Sequence, residues 1–123
     1  MGKKLKERWL DEPDEHDYAA AESFLTLIHD EQSTVNFVKK LRKAEVLQFK
    51  AKDIFRASGL PLLGTNSSHV KADQKRLVAG KKLSPLLLVR QASNGRVIIA
   101  DGYHRMCAAY SLDEDASIPC KIV

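Results

Sequence analysis

The stretch Arg96-Val-Ile-Ile-Ala-Asp-Gly-Tyr-His-Arg-Met-Cys-Ala-Ala-Tyr110 changes its hydrophobic period halfway along, and that change decides the fold class. Its first half holds a short apolar run, Val97 to Ala100, of the kind a strand uses. From Tyr103 onward the apolar side chains Tyr103, Met106, Cys107 and Tyr110 fall at i, i+3, i+4 and i+7, which marks one face of a helix. Asp101 and Gly102 therefore form a strand-to-helix turn. Gly102 permits a tight bend and close approach of a ligand to the backbone, and Asp101 is expected as the N-cap.

The charges in this helix run against its dipole. His104 and Arg105 lie in the first turn, where free backbone N–H groups already make the end electropositive, and an unanswered cation there costs about 0.3–1 kcal/mol. Two arrangements resolve the conflict. Arg105 can pair with Asp101 or with a carboxylate brought in by folding. Alternatively an anion binds at the turn, so that N–H groups, dipole and guanidinium all point at the same negative oxygens.

Working outward, Leu86 to Arg90 is a wholly apolar strand expected to be buried on both faces, and Ser93-Asn94-Gly95 is a hairpin signal leading into Arg96. After the focal helix, Asp113-Glu-Asp115 reads as a loop. Ile118 to Val123 reads as a closing strand, in which Pro119 implies an edge or strand-start position. Upstream, Glu45 to Ala51 reads as a strand with Val46 or Leu47 and Phe49 inward. A short helix from Asp53, its cap, to Ser58 follows and ends at Gly59. After the apolar loop Leu60 to Gly64, a helix capped by Ser67 or Ser68 runs to Ala79 and is closed by Gly80. Thr65, Asn66, Ser68 and His69 place hydrogen-bonding groups at its start, and they are expected to form a second wall facing the Gly102 turn.

The first part of the chain reads as helical. Tyr18, Ala21, Phe24, Leu25 and Ile28 trace an apolar stripe from Asp17 to His29. A second helix, capped by Ser33 or Thr34, turns Val35, Val38 and Leu41 inward. These two helices are expected to pack on the core or to supply a dimer surface, and residues 1–13 to form a loose arm anchored by Trp9 and Leu10. The expected fold is therefore α/β (α+β): a small mixed sheet over residues 46–123, with an N-terminal arm and helical layer over residues 1–45.

A chain of 123 residues can bury one real core and is too short for two full domains. It has no apolar run long enough for a membrane span and no secretory signal. Cys107 and Cys120 have no CxxC spacing, and His16, His29, His69 and His104 form no metal signature, so free thiols in a cytoplasmic setting are expected and no metal site. The net charge of +4 is segregated. Residues 11–31 carry acidic groups without Lys or Arg, whereas residues 36–82 carry a strong excess of Lys and Arg, a segment that suits DNA or phosphates as well as a solvated surface.

The order apolar strand, Asn-Gly hairpin, strand, Asp-Gly-Tyr-His-Arg-Met-Cys-Ala-Ala helix and Ile-Pro-x-x-Ile strand resembles the ParB/sulfiredoxin superfamily. Gly102, Arg105 and Ala108 fill its Gly-x-x-Arg-x-x-Ala element, and Gly80 to Val89 matches its Gly-Lys-x-Leu-x-Pro approach to a strand; residues 1–45 lie outside the likeness. The resemblance implies a turn that binds nucleotide phosphates. Members bind and hydrolyse CTP, use ATP to repair over-oxidised cysteine, phosphorylate free serine, or are described as DNases. Tyr103 stands where sulfiredoxins carry cysteine and where ParB proteins usually carry an acidic residue, so neither of those chemistries transfers directly. The chain stops at the closing strand, without the helix-turn-helix expected of a chromosome-partitioning protein.

Three readings result. In the first the chain binds a nucleotide, as a hydrolase or phosphotransferase. Gly102, Tyr103, His104 and Arg105 hold phosphate, His104 and Asp101 are the catalytic candidates, and Thr65, Asn66, Ser68 and His69 line the opposite wall. Any Mg2+ would arrive with the nucleoside triphosphate and touch one carboxylate, Asp101. The second is a non-catalytic DNA-associated module acting through residues 36–82, with a homodimer as an assembly. The third is a nuclease, for which the sequence lacks a carboxylate cluster.

Overall fold

The computed structural model describes residues 8–123. Among them the elements run α1 (Glu15–Leu25), α2 (Glu31–Lys43), β1 (Leu47–Lys50), α3 (Ala51–Ser58), α4 (Ser68–Ala79), β2 (Leu86–Gln91), a 3-10 turn (Ala92–Asn94), β3 (Arg96–Asp101), α5 (Tyr103–Leu112) and β4 (Ser117–Ile122). The four strands form one mixed sheet in the order β1-β4-β2-β3. The β2–β3 hairpin and the β1–β4 pair are antiparallel, whereas β2 and β4 run parallel. This is the expected mixed α/β fold. No helix of the described residues is long and apolar enough to cross a membrane.

The unbroken apolar run of β2 follows from helices on both sheet faces. Leu86 and Leu88 pack with Ile54, Val70, Leu77 and Met106 of α3, α4 and α5, whereas Leu87 and Val89 pack with Tyr18, Ala21, Leu25, Val38 and Leu41 of α1 and α2. Alternate side chains point to opposite faces, so a strand covered on both sides needs apolar residues at every position. The first two helices thus pack on the core, one of the two arrangements expected for them. Lys121 ties this layer to β4: its buried Nζ donates to the carbonyl of Arg42 at 3.0 Å and pairs with Glu12 at 3.2 Å. The Arg42 guanidinium clasps Glu15 through two bonds of 2.6 and 2.9 Å and lies over the Tyr18 ring.

Several boundaries differ from the sequence reading. Helix α1 starts at Asp14 as N-cap and stops at Leu25, so the expected continuation to His29 is a turn, and Phe24 and Ile28 are exposed. Helix α2 is capped by Asp30, whose carboxylate accepts the Ser33 N–H at 2.7 Å; Ser33 and Thr34 lie inside the helix, and Thr34 is buried. Helix α3 begins at Ala51, with Lys50 at the N-cap position and Asp53 in its first turn. Of the expected inward residues of β1, Leu47 is exposed and Phe49 packs against the core. Pro119 sits in an interior strand, not at an edge or a strand start. The parallel ladder of β4 with β2 begins only at Cys120, so the missing N–H of Pro119 lies ahead of that ladder. Trp9 is a firm anchor. It is buried in the core beneath α3–α5, and backbone bonds of Leu10 to Leu83 (2.8 Å) and Leu83 to Arg8 (2.9 Å) flank it. The first seven residues of the expected arm lie outside the described part.

Candidate functional site

Helix α5 opens directly from β3 through Gly102, which is itself the N-cap, with φ at +106° and no side-chain cap. This corrects the expectation for Asp101, which ends the strand and does not cap the helix. The glycine is dictated twice over. Its φ is one that L side chains rarely adopt, and a Cβ there would stand 2.7 Å from Cγ of Leu86 and 2.9 Å from Nη2 of Arg105.

Arg105, in the first turn of α5, folds back over the bend. Its Nη2 donates to Asp101 Oδ2 at 3.0 Å and to the carbonyl of Pro85 at 3.3 Å, and its buried Nε has no partner among the described residues. Both side chains of the pair are largely buried. The conflict between Arg105 and the helix dipole is therefore answered, in part, from within the chain.

A bulge aims Asp101. The β2–β3 register shifts between Leu87 and Leu88, which stand opposite Asp101 and Ile99, so Ala100 is the unpaired residue. Asp101 thereby meets Asp17, a buried residue in the first turn of α1 that accepts the Asp14 backbone N–H at 3.0 Å. Burial raises the pKa of Asp101 above the ordinary aspartate value; Arg105 opposes the rise, and the Asp17 carboxyl adds to it.

Beside the bend lies a cavity of about 210 Å³, lined by Asp101, Gly102, Tyr103, His104 and Arg105 on one side and by His69, Ala72, Asp73 and Arg76 of α4 on the other. The rings of His69 and His104 face each other at a tilt of 33°, with centroids 4.8 Å apart. Asp73, nearly buried, accepts from Arg76 at 2.9 Å. Burial lowers the pKa of His104 below the ordinary histidine value; His69 and Arg105 push the same way, and Asp73 pushes against them. The Tyr103 hydroxyl donates to the carbonyl of Pro61 and fastens the 60–64 loop against the site.

The structure thus brings together five of the sequence-selected residues on one wall and His69 on the other. Thr65, Asn66 and Ser68 do not line the cavity: α4 begins at Ser68 under the Ser67 cap, and Thr65, Asn66 and Ser68 are exposed. The α4 wall instead uses positions i, i+4 and i+7 of one helix face, His69, Asp73 and Arg76, a polar stripe that the same periodicity test would have picked out. Asp17 carried no such signal, because only the tertiary fold brings α1 to the end of β3.

The basic segment 36–82 does not form one face. Its lysines and arginines on α2 lie over one side of the sheet and those on α3 and α4 over the other, since these helices pack into opposite cores. Arg42, Lys52, Arg56 and Arg76 are also paired with carboxylates.

As for Mg2+, both cavity carboxylates are engaged, Asp101 with Arg105 and Asp73 with Arg76. The donor set does not fit a protein-held Mg2+. Comparison with protein-family models, with curated proteins and with solved structures finds no match to this chain.

Proposed function

We propose that this chain is a phosphate-binding domain of the ParB/sulfiredoxin type that takes a nucleotide at the Gly102-x-x-Arg105 turn and acts on its phosphates as a hydrolase or phosphotransferase. The observation that carries the reading is an open polar cavity against a helix start that has no side-chain cap and carries a guanidinium in its first turn. A phosphate there would meet the first amides of α5, the positive end of the helix dipole and the Arg105 guanidinium together. His104 is the proton-handling group beside that phosphate, and Asp101 holds Arg105 in place. Likeness of the residue pattern Gly102, Arg105 and Ala108 to that superfamily supports the nucleotide as ligand class.

A thermal-shift panel of ATP, ADP, CTP, GTP and inorganic phosphate, each with and without Mg2+, tests the reading. A ligand that binds only the folded state raises the midpoint by mass action, so at least one nucleotide should do so in a concentration-dependent way. A flat response to every member rejects it. DNA association has weaker support, because the basic side chains are divided between the two faces of the sheet.

A further inference from the structure

The lining charges of the cavity cancel before any ligand arrives. Arg76 is answered by Asp73 at 2.9 Å and Arg105 by Asp101 at 3.0 Å. A phosphate dianion entering this site brings negative charge that the fixed cations have already spent on carboxylates. The amides at the start of α5 offset part of it. The remaining groups able to add positive charge in the cavity wall are the imidazoles of His69 and His104, a tilted pair with centroids 4.8 Å apart.

We propose that the site binds its anion together with a proton, which is taken up on His104 within the His69–His104 pair. This rests on the phosphate-binding reading and adds to it the state of the ligand and its pH regulation. The groups facing His104 set the direction. From α4 they are His69, Asp73 and Arg76; from its own helix, Tyr103 and Arg105; from β3, Asp101, with Asp17 of α1 behind it. In the free site His69 and Arg105 disfavour a positive ring at position 104, and burial does so more strongly. A dianion in the cavity reverses the balance, since its charge faces the same ring and attracts the proton. One proton is expected per pair, because a second positive ring with its centroid 4.8 Å away would repel the first. A protonated His104 is a donor to phosphate or to a leaving oxygen, and is not the base that activates an acceptor. The chemistry is therefore acid-side, and binding strengthens as pH falls through the midpoint of the liganded histidine.

The test follows the ring C–H resonances of His69 and His104 by NMR from about pH 5 to 8, without ligand, with saturating ATP, and with sulfate, a dianion that does not titrate in this range. His29 serves as an internal reference. Expected is a rise in the His104 midpoint with either anion, with each unit of rise making binding tenfold tighter at the acid end than at the alkaline end. Shifts of the Gly102 and Tyr103 amides with ATP but an unmoved His104 midpoint would overturn the proton coupling and leave the phosphate site standing. Silence of both the amides and the histidines with every anion removes the phosphate-binding reading, and the coupling with it.

Discussion

Replacing Gly102 by alanine isolates what the bend itself contributes, because a second glycine provides the control. At Gly102 two penalties combine. The φ of +106° is unfavourable for any L side chain, by about 1–2 kcal/mol. The added Cβ would also stand 2.7 Å from Leu86 Cγ and 2.9 Å from Arg105 Nη2, an overpacking of the kind that costs about 1–3 kcal/mol. Leu86 is fully buried in the central strand, so it cannot step aside freely. The two penalties together come to about 2–5 kcal/mol. At Gly80, the C-cap of α4, φ is +78° and nothing lies within 4 Å of where a Cβ would stand, so alanine there meets the backbone penalty alone. Urea unfolding of wild type, Gly102→Ala and Gly80→Ala should therefore rank Gly102→Ala lowest by more than about 1 kcal/mol, the packing share. Equal losses in the two variants would refute the close approach of Leu86 and Arg105 to the bend. Gly102→Ala should also weaken ATP binding under conditions where it remains folded, since its methyl group displaces Nη2.

Other consequences are open to direct measurement. Arg105→Ala should weaken ATP binding by calorimetry about ten- to a hundredfold, the equivalent of one charge-assisted contact of about 1.5–3 kcal/mol; unchanged affinity would remove Arg105 from the site. Asp101 has a raised pKa in the folded chain, so its contribution to stability is fully present below the unfolded aspartate value and is lost as pH rises through the folded value. Asp17→Asn removes the neighbouring carboxyl while keeping an acceptor for the Asp14 N–H, and should lessen that loss, read as a flatter dependence of urea midpoint on pH between acid and neutral. Leu88→Ala in β2 should cost about 2–5 kcal/mol in the same assay, because the side chain is buried between the sheet and the helices of one core. Fluorescence anisotropy with duplex DNA should show weak binding without a steep salt response; tight binding whose logarithm falls steeply with that of salt would instead favour the DNA-associated module.

The parts of the fold visible in the sequence are those whose cause is local. The change of period at Tyr103, the Asn94-Gly95 hairpin and the Gly80 cap each act over a few residues, and each lies where the periodicity placed it. Pro119 misled for the opposite reason. Its tolerance in an interior strand depends on where the parallel partner begins its ladder, which no local pattern encodes. The two N-terminal helices were legible as amphipathic but not as a sheet cover, since the choice between core and dimer surface rests on which face of β2 lacks a partner. In the candidate site the α5 wall could be read directly. On the α4 wall the expected set is Thr65, Asn66, Ser68 and His69, of which His69 lines the cavity; the hydroxyl and amide groups belong to the helix start, whereas the wall continues from His69 along one helix face to Asp73 and Arg76.

The charge on Arg105 shows why a site cannot be read from its own turn alone. From the turn, a cation at a helix start needs an anion. The structure supplies one, Asp101, by inserting a bulge at Ala100, and then sets a second carboxyl, Asp17, against it from the first turn of α1. Burial, with a smaller contribution from Asp17, outweighs Arg105 and leaves Asp101 more easily protonated than an isolated aspartate. On the proposed function, an incoming phosphate competes with Asp101 for the Arg105 guanidinium. The helix that places Asp17 there also covers Leu87 and Val89 of the central strand, so the cover of the sheet and the setting of Asp101 rest on one element.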